Sequence, residues 1–452
     1  MRIAETPFVS IVGAGLAGTL LALRLARSGL RIKLYERFPD PREATVASGR
    51  SINLALAERG RHALDNAGLL EAVDRITVPM AGRMIHRLTG EADFQAYGQR
   101  EHEVIYSVHR DELSQLLLDH ARLEDNIELI FYRRLESADF DQRRACFIDD
   151  RDDSRHVDDF HLIIGADGAG SALRQSMEAH DGQQASAELL DHAYREFTIT
   201  PTADNDFAIE AHALHIWPRG GFMLIALPNS DRSFTATLFL ARDGEPSFTQ
   251  MDEYPQRWQH FFEQYFPYAL PLLSQVEHDL RHHPVGVLGT IRCDRWQLDG
   301  HSLIIGDAAH AVVPFHGQGM NAAFEDVDVL LEMLPGHDDW NTLLPAFERS
   351  RIPNTNALAD MALENYEEMR QGVRDPRHLA RKQLEWELER SYPNAFIPRY
   401  SMVMFHRLPY ATAYQRGQIQ RDILDRLLDI VDEQQRMEQA EEWINTRLPA
   451  LN

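Results

Sequence analysis

The sequence predicts an α/β protein with three parts: a domain built on a parallel sheet, an antiparallel β-sheet inserted into it, and a C-terminal helical region. Three observations support this prediction. Apolar strands followed by glycine or aspartate turns recur early, midway and late in the chain. Between the last two of these strands lie β-branched and aromatic runs. Beyond about residue 330 the pattern becomes helical.

The first strand, turn and helix begin the parallel sheet. We predict a buried strand in PFVSIVGAG, a helix with Leu16, Leu20 and Leu23 at helical spacing in LAGTLLALRLARSG, and a second strand in RIKLYER. Two further apolar strands occur in DDFHLIIGADGAG and DGHSLIIGDAAH, and each ends in an aspartate beside small residues. This order predicts a doubly wound, Rossmann-like sheet.

The inserted sheet and the helical region have patterns of their own. The segment HALHIWPRGGFMLIALPNSDRSFTATLFLA contains apolar runs broken by PRGG and PNSDRS, which predicts antiparallel hairpins. Near the C-terminus, QIQRDILDRLLDIVDEQQ predicts an amphipathic helix whose apolar face is formed by Ile419, Ile423, Leu427 and Ile430.

The expected domains are interleaved along the chain, because no linker separates them. The parallel-sheet domain takes residues 1–75, 105–178 and 290–330, the inserted sheet takes 76–104 and 179–289, and the helical region takes 331–452.

Composition excludes several classes of function. The chain has 452 residues and a net charge of -24, which repels nucleic acid and anionic membrane surfaces. It has no apolar run of the roughly 18 residues that span a bilayer, and its N-terminus lacks the pattern of a signal peptide. Cys146 and Cys293 are far apart and outside any CxxC pattern, so we expect no disulfide and no metal site. We therefore expect a cytoplasmic protein, monomeric or homodimeric, without nucleic-acid or membrane partners.

The first glycine turn carries a dinucleotide-binding pattern. Gly13, Gly15 and Gly18 fit GxGxxG, in which the first glycine permits the tight turn, the second lets a pyrophosphate approach, and the third lets helix and strand pack closely. Glu36 ends the next strand, where a carboxylate accepts ribose hydroxyls and repels a 2'-phosphate. The site therefore suits FAD or NAD rather than NADP.

A second glycine-bearing loop favours FAD over NAD. In GDAAHAVVPFHGQGMNAAFEDV, residues 306 to 327, Asp307 follows a strand and can bind a ribityl hydroxyl, while Ala308 and Ala309 leave room. The GQGMN turn then opens a helix whose N-H groups would face the flavin pyrimidine ring, where reduced flavin carries negative charge. The alternative is a buried strand end followed by an ordinary loop.

The middle motif, GADGAGSALR, completes the set. Asp167 and Gly168 are expected to close a turn beside the pyrophosphate, and Ser171 and Arg174 to contact phosphate or a nicotinamide dinucleotide. No second GxGxxG follows a strand, so a reducing pyridine nucleotide has no domain of its own.

Together the three motifs resemble the class A flavoprotein aromatic hydroxylases. Within that superfamily the chain is similar to the kynurenine 3-monooxygenase family, in its soluble bacterial form, at GRSINLALAERG, GRMIH, VPFHGQGMN, MALENYEEM and FIPRYSM. Eukaryotic members end in a hydrophobic membrane anchor, from which this sequence departs. The resemblance implies a Rossmann-like FAD-binding domain, an inserted substrate domain, and hydroxylation of L-kynurenine with NADPH and O2 through a flavin C4a-hydroperoxide.

The resemblance also implies where FAD is contacted. The expected contacts are Ala17, Glu36, Ala55, Arg110, Leu135, Asp307, Met320 and Asn321. The three glycines, Asp167, Arg37 beside Glu36, and Gly319 beside Met320 complete the predicted FAD site.

For the substrate, the resemblance implies a carboxylate held by Arg83, Tyr97, Asn365 and Tyr400. A zwitterionic amino acid in an apolar pocket needs such a cationic fork with hydroxyl and amide donors. Glu368, one turn after Asn365, is a candidate partner for the ammonium, or else a solvated glutamate. Candidates for the pocket wall are Phe222, Met223, Leu224, Phe239, Phe315 and His316.

We predict no obligatory base among these residues, since the aniline nitrogen itself donates electron density to the ortho carbon. His316 is either an acid or base or a packing residue beside the flavin. A class A hydroxylase of a phenolic acid, such as hydroxybenzoate or salicylate, is the alternative, and a Tyr and His relay in the pocket would favour it. A flavin halogenase is disfavoured because WxWxIP is absent. A flavin-binding escort or sensor without turnover is the remaining alternative.

Overall fold

The computed structural model describes residues 2–43, 53–371 and 376–451, so residues 49–52 of the GRSINLALAERG stretch lie outside the described residues. In chain order, the strands are β1 Val9–Val12, β2 Ile32–Tyr35, β3 Asn53–Leu56, β4 Thr77–Met80, β5 Gly82–His86, β6 Ala92–Ala96, β7 Ile105–His109, β8 Ile127–Ile130, β9 Arg134–Asp139, β10 Arg144–Asp149, β11 Ser154–Asp159, β12 Leu162–Gly165, β13 Ser186–Ile199, β14 Ala213–Pro218, β15 Met223–Pro228, β16 Phe234–Ala241, β17 Gly286–Arg292, β18 Gln297–Leu298 and β19 Ser302–Ile304.

The α-helices alternate with the early strands and dominate the last third of the chain. They are α1 Leu16–Arg27, α2 Glu58–Asn66, α3 Leu70–Asp74, α4 Arg110–Ala121, α5 Ala172–Asp181, α6 Phe248–Glu253, α7 Arg257–Tyr265, α8 Val276–His282, α9 Asp307–His310, α10 Gly319–Met333, α11 Trp340–Gln371, α12 Pro376–Ser391, α13 Arg399–Met404, α14 Tyr410–Leu427 and α15 Glu433–Arg447.

The predicted parallel sheet is present and has six strands in the order β18-β19-β12-β1-β2-β8. Every neighbouring pair from β19 to β8 is parallel, and only the edge strand β18 is antiparallel. The strands β1, β12 and β19 are buried on both faces, which explains their continuous apolar sequence. The carboxyl ends of β1 and β19, where the two predicted loops begin, therefore lie at one edge of this sheet, with β12 between them.

The inserted sheet has seven strands in the order β17-β13-β16-β15-β14-β5-β6. The hairpins predicted from the aromatic segment are β14–β15 and β15–β16, both antiparallel, and β5 joins β14 in the parallel sense. Two further sheets of three strands each have the orders β3-β7-β4 and β11-β10-β9. The α/β fold class is confirmed.

Strand pairing departs from two of the predicted domain edges. Strand β4 falls in the segment expected for the inserted sheet, yet it pairs with β7 in the small sheet β3-β7-β4. Strand β17 crosses the expected boundary at residue 290 and pairs with β13. Pairing between strands distant in sequence decides these edges, and no local pattern encodes it.

The predicted C-terminal helix is shorter than its apolar pattern. Helix α14 ends at Leu427, because the N-H of Ile430 bonds to the Leu427 carbonyl three residues back and tightens the last turn. Ile423 and Leu427 are fully buried, while Ile419 and Ile430 pack against the same cluster from its edge. Ile430 thus joins the predicted apolar face from outside the helix. None of the described helices is long and apolar enough to cross a membrane.

Candidate active site

A cavity of about 920 Å³ lies where the parallel sheet, the inserted sheet and helices α11 to α14 meet. Its wall combines residues of the first glycine turn and of the late glycine loop with strands of the inserted sheet. This volume is at the upper end of the range for small-molecule sites. It therefore has room for a large cofactor and a substrate together.

The three glycines of the first turn differ in what surrounds them. Gly13 has φ +97°, and a Cβ there would lie 2.5 Å from the Ala166 carbonyl oxygen. A Cβ on Gly18 would lie 2.0 Å from the Gly13 oxygen. A Cβ on Gly15, by contrast, would have no neighbouring atom within 4 Å, and Gly15 lines the cavity. The fold requires the first and third glycines, whereas the second leaves free space at the N-terminus of α1.

Glu36 follows β2 and buttresses this turn. Its Oε2 accepts the N-H of Ala14 at 2.8 Å and its Oε1 accepts the N-H of Phe38 at 2.9 Å. Burial raises the pKa of the Glu36 carboxyl, although these backbone donors favour its charged form. Each oxygen retains acceptor capacity for a hydroxyl. Arg37, next in the chain, is exposed and lies over the Phe38 ring.

A buried ionic network, which the sequence analysis did not identify, holds the late loop that begins at Gly306 in place. Asp326 accepts the Gly306 N-H at 3.0 Å and the His310 Nε2 at 2.6 Å, and its other oxygen accepts the Arg351 Nε at 2.8 Å. Asp307, the first residue of α9, is exposed to the cavity, and no described residue bonds to its carboxylate. The network therefore presents Asp307 as a free acceptor. The acidic residues within the otherwise apolar stretch FEDVDVLL are the sequence feature that could have indicated this network.

Seven of the predicted FAD contacts line the cavity: Gly15, Ala17, Ala55, Arg110, Asp307, Gly319 and Met320. Gly319 and Met320 begin α10, whose first N-H groups have no partner within the helix. The positive end of this helix therefore faces the cavity.

The structure does not bring the side chains of Asn321 and Leu135 to the cavity. Asn321 is fully buried, with its Oδ1 accepting the Ala57 N-H at 2.8 Å and its Nδ2 donating to the carbonyls of Ala55 and Gly317. It ties strand β3 to the late loop. Leu135 lies in the hydrophobic core beside the parallel sheet. Any contact that these two residues make to a ligand is limited to their backbone.

The polar side chains of the middle motif, GADGAGSALR, bind other parts of the protein. Asp167 Oδ2 accepts the N-H of Ala172 at 2.8 Å at the start of α5, and Ser171 caps that helix by accepting the Arg174 N-H. Arg174 donates to the carbonyl oxygens of Ala308 and Ala169, both at 2.7 Å. The side chains of Ser171 and Arg174 therefore bind the protein and do not line the cavity, and their expected contact with phosphate or nicotinamide stays a prediction. Only Ala166 and Gly168 of this turn line the cavity.

On the opposite side of the cavity, Arg83 lies against two tyrosines. Its guanidinium carbon is 5.4 Å from the Tyr97 ring centroid and 5.0 Å from that of Tyr400, and the two rings stack at 5.7 Å. Arg83 Nε and the Tyr97 hydroxyl are buried without a hydrogen-bond partner in the described chain. Burial raises the pKa of the Tyr97 hydroxyl, which keeps it a neutral donor. The described ranges place no carboxylate within ion-pair distance of Arg83, so this cation is available to a ligand.

Asn365 and Glu368, both on α11, also line the cavity. Asn365 Nδ2 lies 3.5 Å from the Phe315 carbonyl, at the limit of a hydrogen bond. Glu368 already has a cationic partner, because its Oε1 lies 3.2 Å from Arg421 Nη2. It is therefore a weaker candidate for the substrate ammonium than the sequence suggested.

The pocket wall is largely as predicted. Phe222, Met223 and Phe239 line the cavity, and the Phe315 ring lies 5.2 Å from that of Phe239. Leu224 is the exception: it is fully buried on the other face of β15, since neighbouring strand residues point in opposite directions.

His316 is a neutral ring packed in the wall. Burial lowers its pKa to about 4, and its ring centroid lies 6.1 Å from that of Tyr400. A buried group that is uncharged at neutral pH and stacked on a tyrosine ring fits the packing role better than that of an acid.

The cavity wall also contains a Tyr and His pair that the sequence analysis did not locate. The Tyr366 hydroxyl lies 2.7 Å from His192 Nδ1 and donates to Asp191 at 2.8 Å. His192 Nε2 lies 2.8 Å from the Gly221 carbonyl, which makes it the donor in that contact. The pair connects the cavity wall to an exposed carboxylate.

Comparison with known proteins identifies the family. Residues 5–361 match the family described as FAD binding domain. Kynurenine 3-monooxygenases of Xanthomonas oryzae pv. oryzae and of Stenotrophomonas maltophilia are each 51% identical over 416 residues, covering 92% of this chain and 91% of the relative. The chain belongs to the kynurenine 3-monooxygenase family. Membership in this family makes it an FAD-dependent aromatic monooxygenase.

Solved structures agree in fold. The tetrameric form of 2-methyl-3-hydroxypyridine-5-carboxylic acid oxygenase has a TM-score of 0.67 at 19% identity, covering 83% of this chain and 96% of that one. PqsL of P. aeruginosa in complex with 2-aminobenzoylacetate has a TM-score of 0.64 at 19% identity, covering 80% and 96%. At these identities the likeness to both structures concerns the fold alone.

The residues present fit an FAD. The free space at Gly15 suits a pyrophosphate, the unpaired carboxylate of Asp307 suits ribityl hydroxyls, and the N-terminus of α10 suits the electron-rich end of the flavin ring. Glu36 lies at the end of β2, where an adenosine ribose binds in Rossmann-like folds.

Proposed function

We propose that this protein hydroxylates L-kynurenine to 3-hydroxykynurenine with FAD, NADPH and O2. The observation that carries the proposal is Arg83, a cation without a carboxylate partner among the described residues, flanked by Tyr97 and Tyr400 in the cavity that also receives the flavin loops. The names of the family's relatives agree with this substrate.

In this proposal the parallel-sheet domain holds the cofactor and the inserted sheet holds the substrate. When bound, FAD supplies the redox chemistry that takes electrons from NADPH and activates O2. Asp307 accepts hydrogen bonds from the ribityl chain, and Gly319 and Met320 offer backbone N-H groups at the positive end of α10.

The chain's own contribution to catalysis is orientation and exclusion of water. Arg83, Tyr97, Tyr400 and Asn365 hold the amino acid end of the substrate, so the aromatic end extends toward the flavin loops. Phe239 and its apolar neighbours enclose the ring and keep bulk water from the reacting oxygen.

No charged base is required at the ring. The amine of the substrate donates electron density to the neighbouring ring carbon, which selects the ortho position. His316 is neutral because burial lowers its pKa to about 4, and it positions Tyr400 by stacking. This arrangement suits an aniline, which needs no deprotonation before it is attacked.

One observation favours a second candidate, the phenolic acid hydroxylase. A phenol must lose a proton before attack, and Tyr366 with His192 forms a hydrogen-bonded path from the cavity wall to Asp191. The named relatives give this alternative no support. The test therefore includes both substrate classes.

The test is a comparison of L-kynurenine, 4-hydroxybenzoate and salicylate with the purified FAD-loaded protein. We expect only L-kynurenine to stimulate NADPH oxidation with formation of a product that contains one added oxygen. Hydroxylation of a phenolic acid without hydroxylation of kynurenine would overturn the proposal. Steady NADPH oxidation that yields a hydroxylated product also disposes of a sensor without turnover.

A further inference from the structure

Helix α12 presents charged side chains to the cavity. Lys382 and Glu385, one turn apart, both line it. The helix is fixed on either side of them: Arg381 Nε donates to Asp425 at 2.9 Å, and Glu389 accepts from Gln99 Nε2 at 2.6 Å. Lys382 and Glu385 are therefore held against the cavity by contacts that do not involve their own charges.

These two side chains differ from their charged neighbours in having no ion pair among the described residues. Arg381 pairs with Asp425, Glu389 with Arg100, and Glu368 with Arg421. Lys382 and Glu385 make no contact of this kind with each other or with another described side chain. Arg83 lies close enough to affect Lys382 electrostatically. Arg83, Lys382 and Glu385 thus give this part of the cavity wall two cations and one carboxylate without an ion pair among the described residues.

An α-amino acid zwitterion carries the complementary set, an ammonium next to a carboxylate. We propose that Glu385 accepts the α-ammonium of the substrate and that Lys382 shares its α-carboxylate with Arg83. This inference rests on the proposed function, and it moves the ammonium site from Glu368 to Glu385. Glu368 is less suitable because Arg421 already neutralises it at 3.2 Å.

The electrostatic surroundings agree with a subsite for a zwitterion. Burial raises the pKa of Glu385 to about 7, with Lys382 and Arg399 opposing this shift and Glu389 and Glu368 adding to it. Burial and the nearby Arg83 lower the pKa of Lys382. Both groups would be stabilised in their charged forms by a zwitterion. The consequence is selectivity for α-amino acids over carboxylic acids of the same size.

The experiment uses two substrates: L-kynurenine and 4-(2-aminophenyl)-4-oxobutanoate, which has the same carboxylate and ring but no ammonium. Their binding to the FAD-loaded protein is followed by the change in flavin absorbance. The variants are Glu385→Gln, Lys382→Met and the matched control Glu387→Gln, which is on the same helix but does not line the cavity.

We expect Glu385→Gln to weaken kynurenine binding about 10- to 100-fold, the effect of one hydrogen bond to a charged group, and to change binding of the analogue less than about twofold. Lys382→Met should weaken both ligands by a similar factor, and Glu387→Gln neither. Wild type should bind the analogue at least about tenfold more weakly than kynurenine, a comparison that needs no variant.

The proposed ammonium subsite would be overturned if Glu385→Gln lost affinity for kynurenine and for the analogue by the same factor. Equal affinity of wild type for the two ligands would overturn it as well. Failure of the proposed function has a different result: wild type would then bind and hydroxylate neither compound. If wild type hydroxylates kynurenine while Glu385→Gln lowers the affinities for kynurenine and for the analogue by the same factor, or lowers neither, only the ammonium subsite is wrong.

Discussion

Replacing Arg83 with methionine removes the cation expected to bind the substrate carboxylate while keeping a side chain of similar length. The guanidinium has no carboxylate partner among the described residues and lies beside a stacked pair of tyrosine rings, with its carbon 5.4 and 5.0 Å from their centroids. The substrate would therefore supply its counter-charge in a largely desolvated setting. Loss of this pair removes one of the two cations proposed to bind the carboxylate, at a cost of roughly 2 to 4 kcal/mol. This corresponds to a fall in kcat/KM of about 30- to 1000-fold.

The assay measures kcat and KM for hydroxylation together with hydrogen peroxide formed per NADPH. Because Arg83 is distant from the reacting ring carbon in the proposed pose, most of the loss should be in KM, with some uncoupling from poorer orientation. The matched control is Arg87→Met, since Arg87 is exposed, pairs with Asp93 and does not line the cavity. We expect this control to keep wild-type kinetics.

A second substrate makes the prediction refutable. An analogue that lacks the α-carboxylate cannot form the pair, so wild type and Arg83→Met should turn it over equally poorly. If Arg83→Met lowers kcat/KM for this analogue by the same factor as for kynurenine, then Arg83 supports the fold or the flavin, and the carboxylate assignment fails.

Three further predictions follow. Gly15→Val should fold normally, because Gly15 has φ -71° and ψ -174° and open space around it, but should lose FAD; full flavin absorbance in the purified variant would contradict this. Asp326→Asn breaks the buried ionic network that supports the late loop, so it should lower the free energy of unfolding in urea by about 3 to 5 kcal/mol and cause loss of flavin. The control Glu332→Gln, at an exposed position on the same helix, should unfold like wild type. Because the pKa of Glu385 is raised to about 7, its carboxyl group becomes charged as the pH rises from 6 to 8. The affinity for kynurenine should therefore rise by up to about tenfold over this range. If the affinity of Glu385→Gln depends on pH in the same way as that of wild type, another group titrates.

The local parts of the fold could be predicted because short sequence patterns determine them. The spacing of Gly13, Gly15 and Gly18 predicts a turn that only glycine can form at two of its positions, and the structure shows both close approaches. Apolar runs predicted the parallel strands, and turn residues predicted the hairpins. The family resemblance, which rested on motifs spread along the chain, is confirmed by relatives at 51% identity.

The direction of individual side chains could not be predicted in the same way. Asn321 lies next to two cavity residues, yet its amide bonds to the backbone of a segment more than 250 residues away. Leu224 follows a cavity residue on a strand and faces the opposite core. Arg174 donates hydrogen bonds to the carbonyl oxygens of Ala169 and Ala308, and only the fold brings Ala308 near it. The outcomes for Asn321 and Arg174 depend on partners distant in sequence, which residue type and spacing do not specify. The outcome for Leu224 depends on which face of β15 the fold turns toward the cavity.

The charges on α12 show the same limit for the binding site. Lys382 and Glu385 lie in a helix rich in charged residues, where a solvated face is the ordinary interpretation. Only the packing of α12 against the cavity distinguishes them from Glu387, two positions further along.

The most direct test of the account is a single-turnover reaction in which the FAD-loaded protein is reduced with NADPH and mixed with L-kynurenine under oxygen-18 gas, with the product analysed by mass spectrometry. We expect 3-hydroxykynurenine that contains one heavy oxygen atom, because in the proposed reaction the hydroxyl oxygen comes from O2. Unchanged kynurenine with all reducing equivalents recovered as hydrogen peroxide, or a hydroxyl oxygen derived from water, would contradict it.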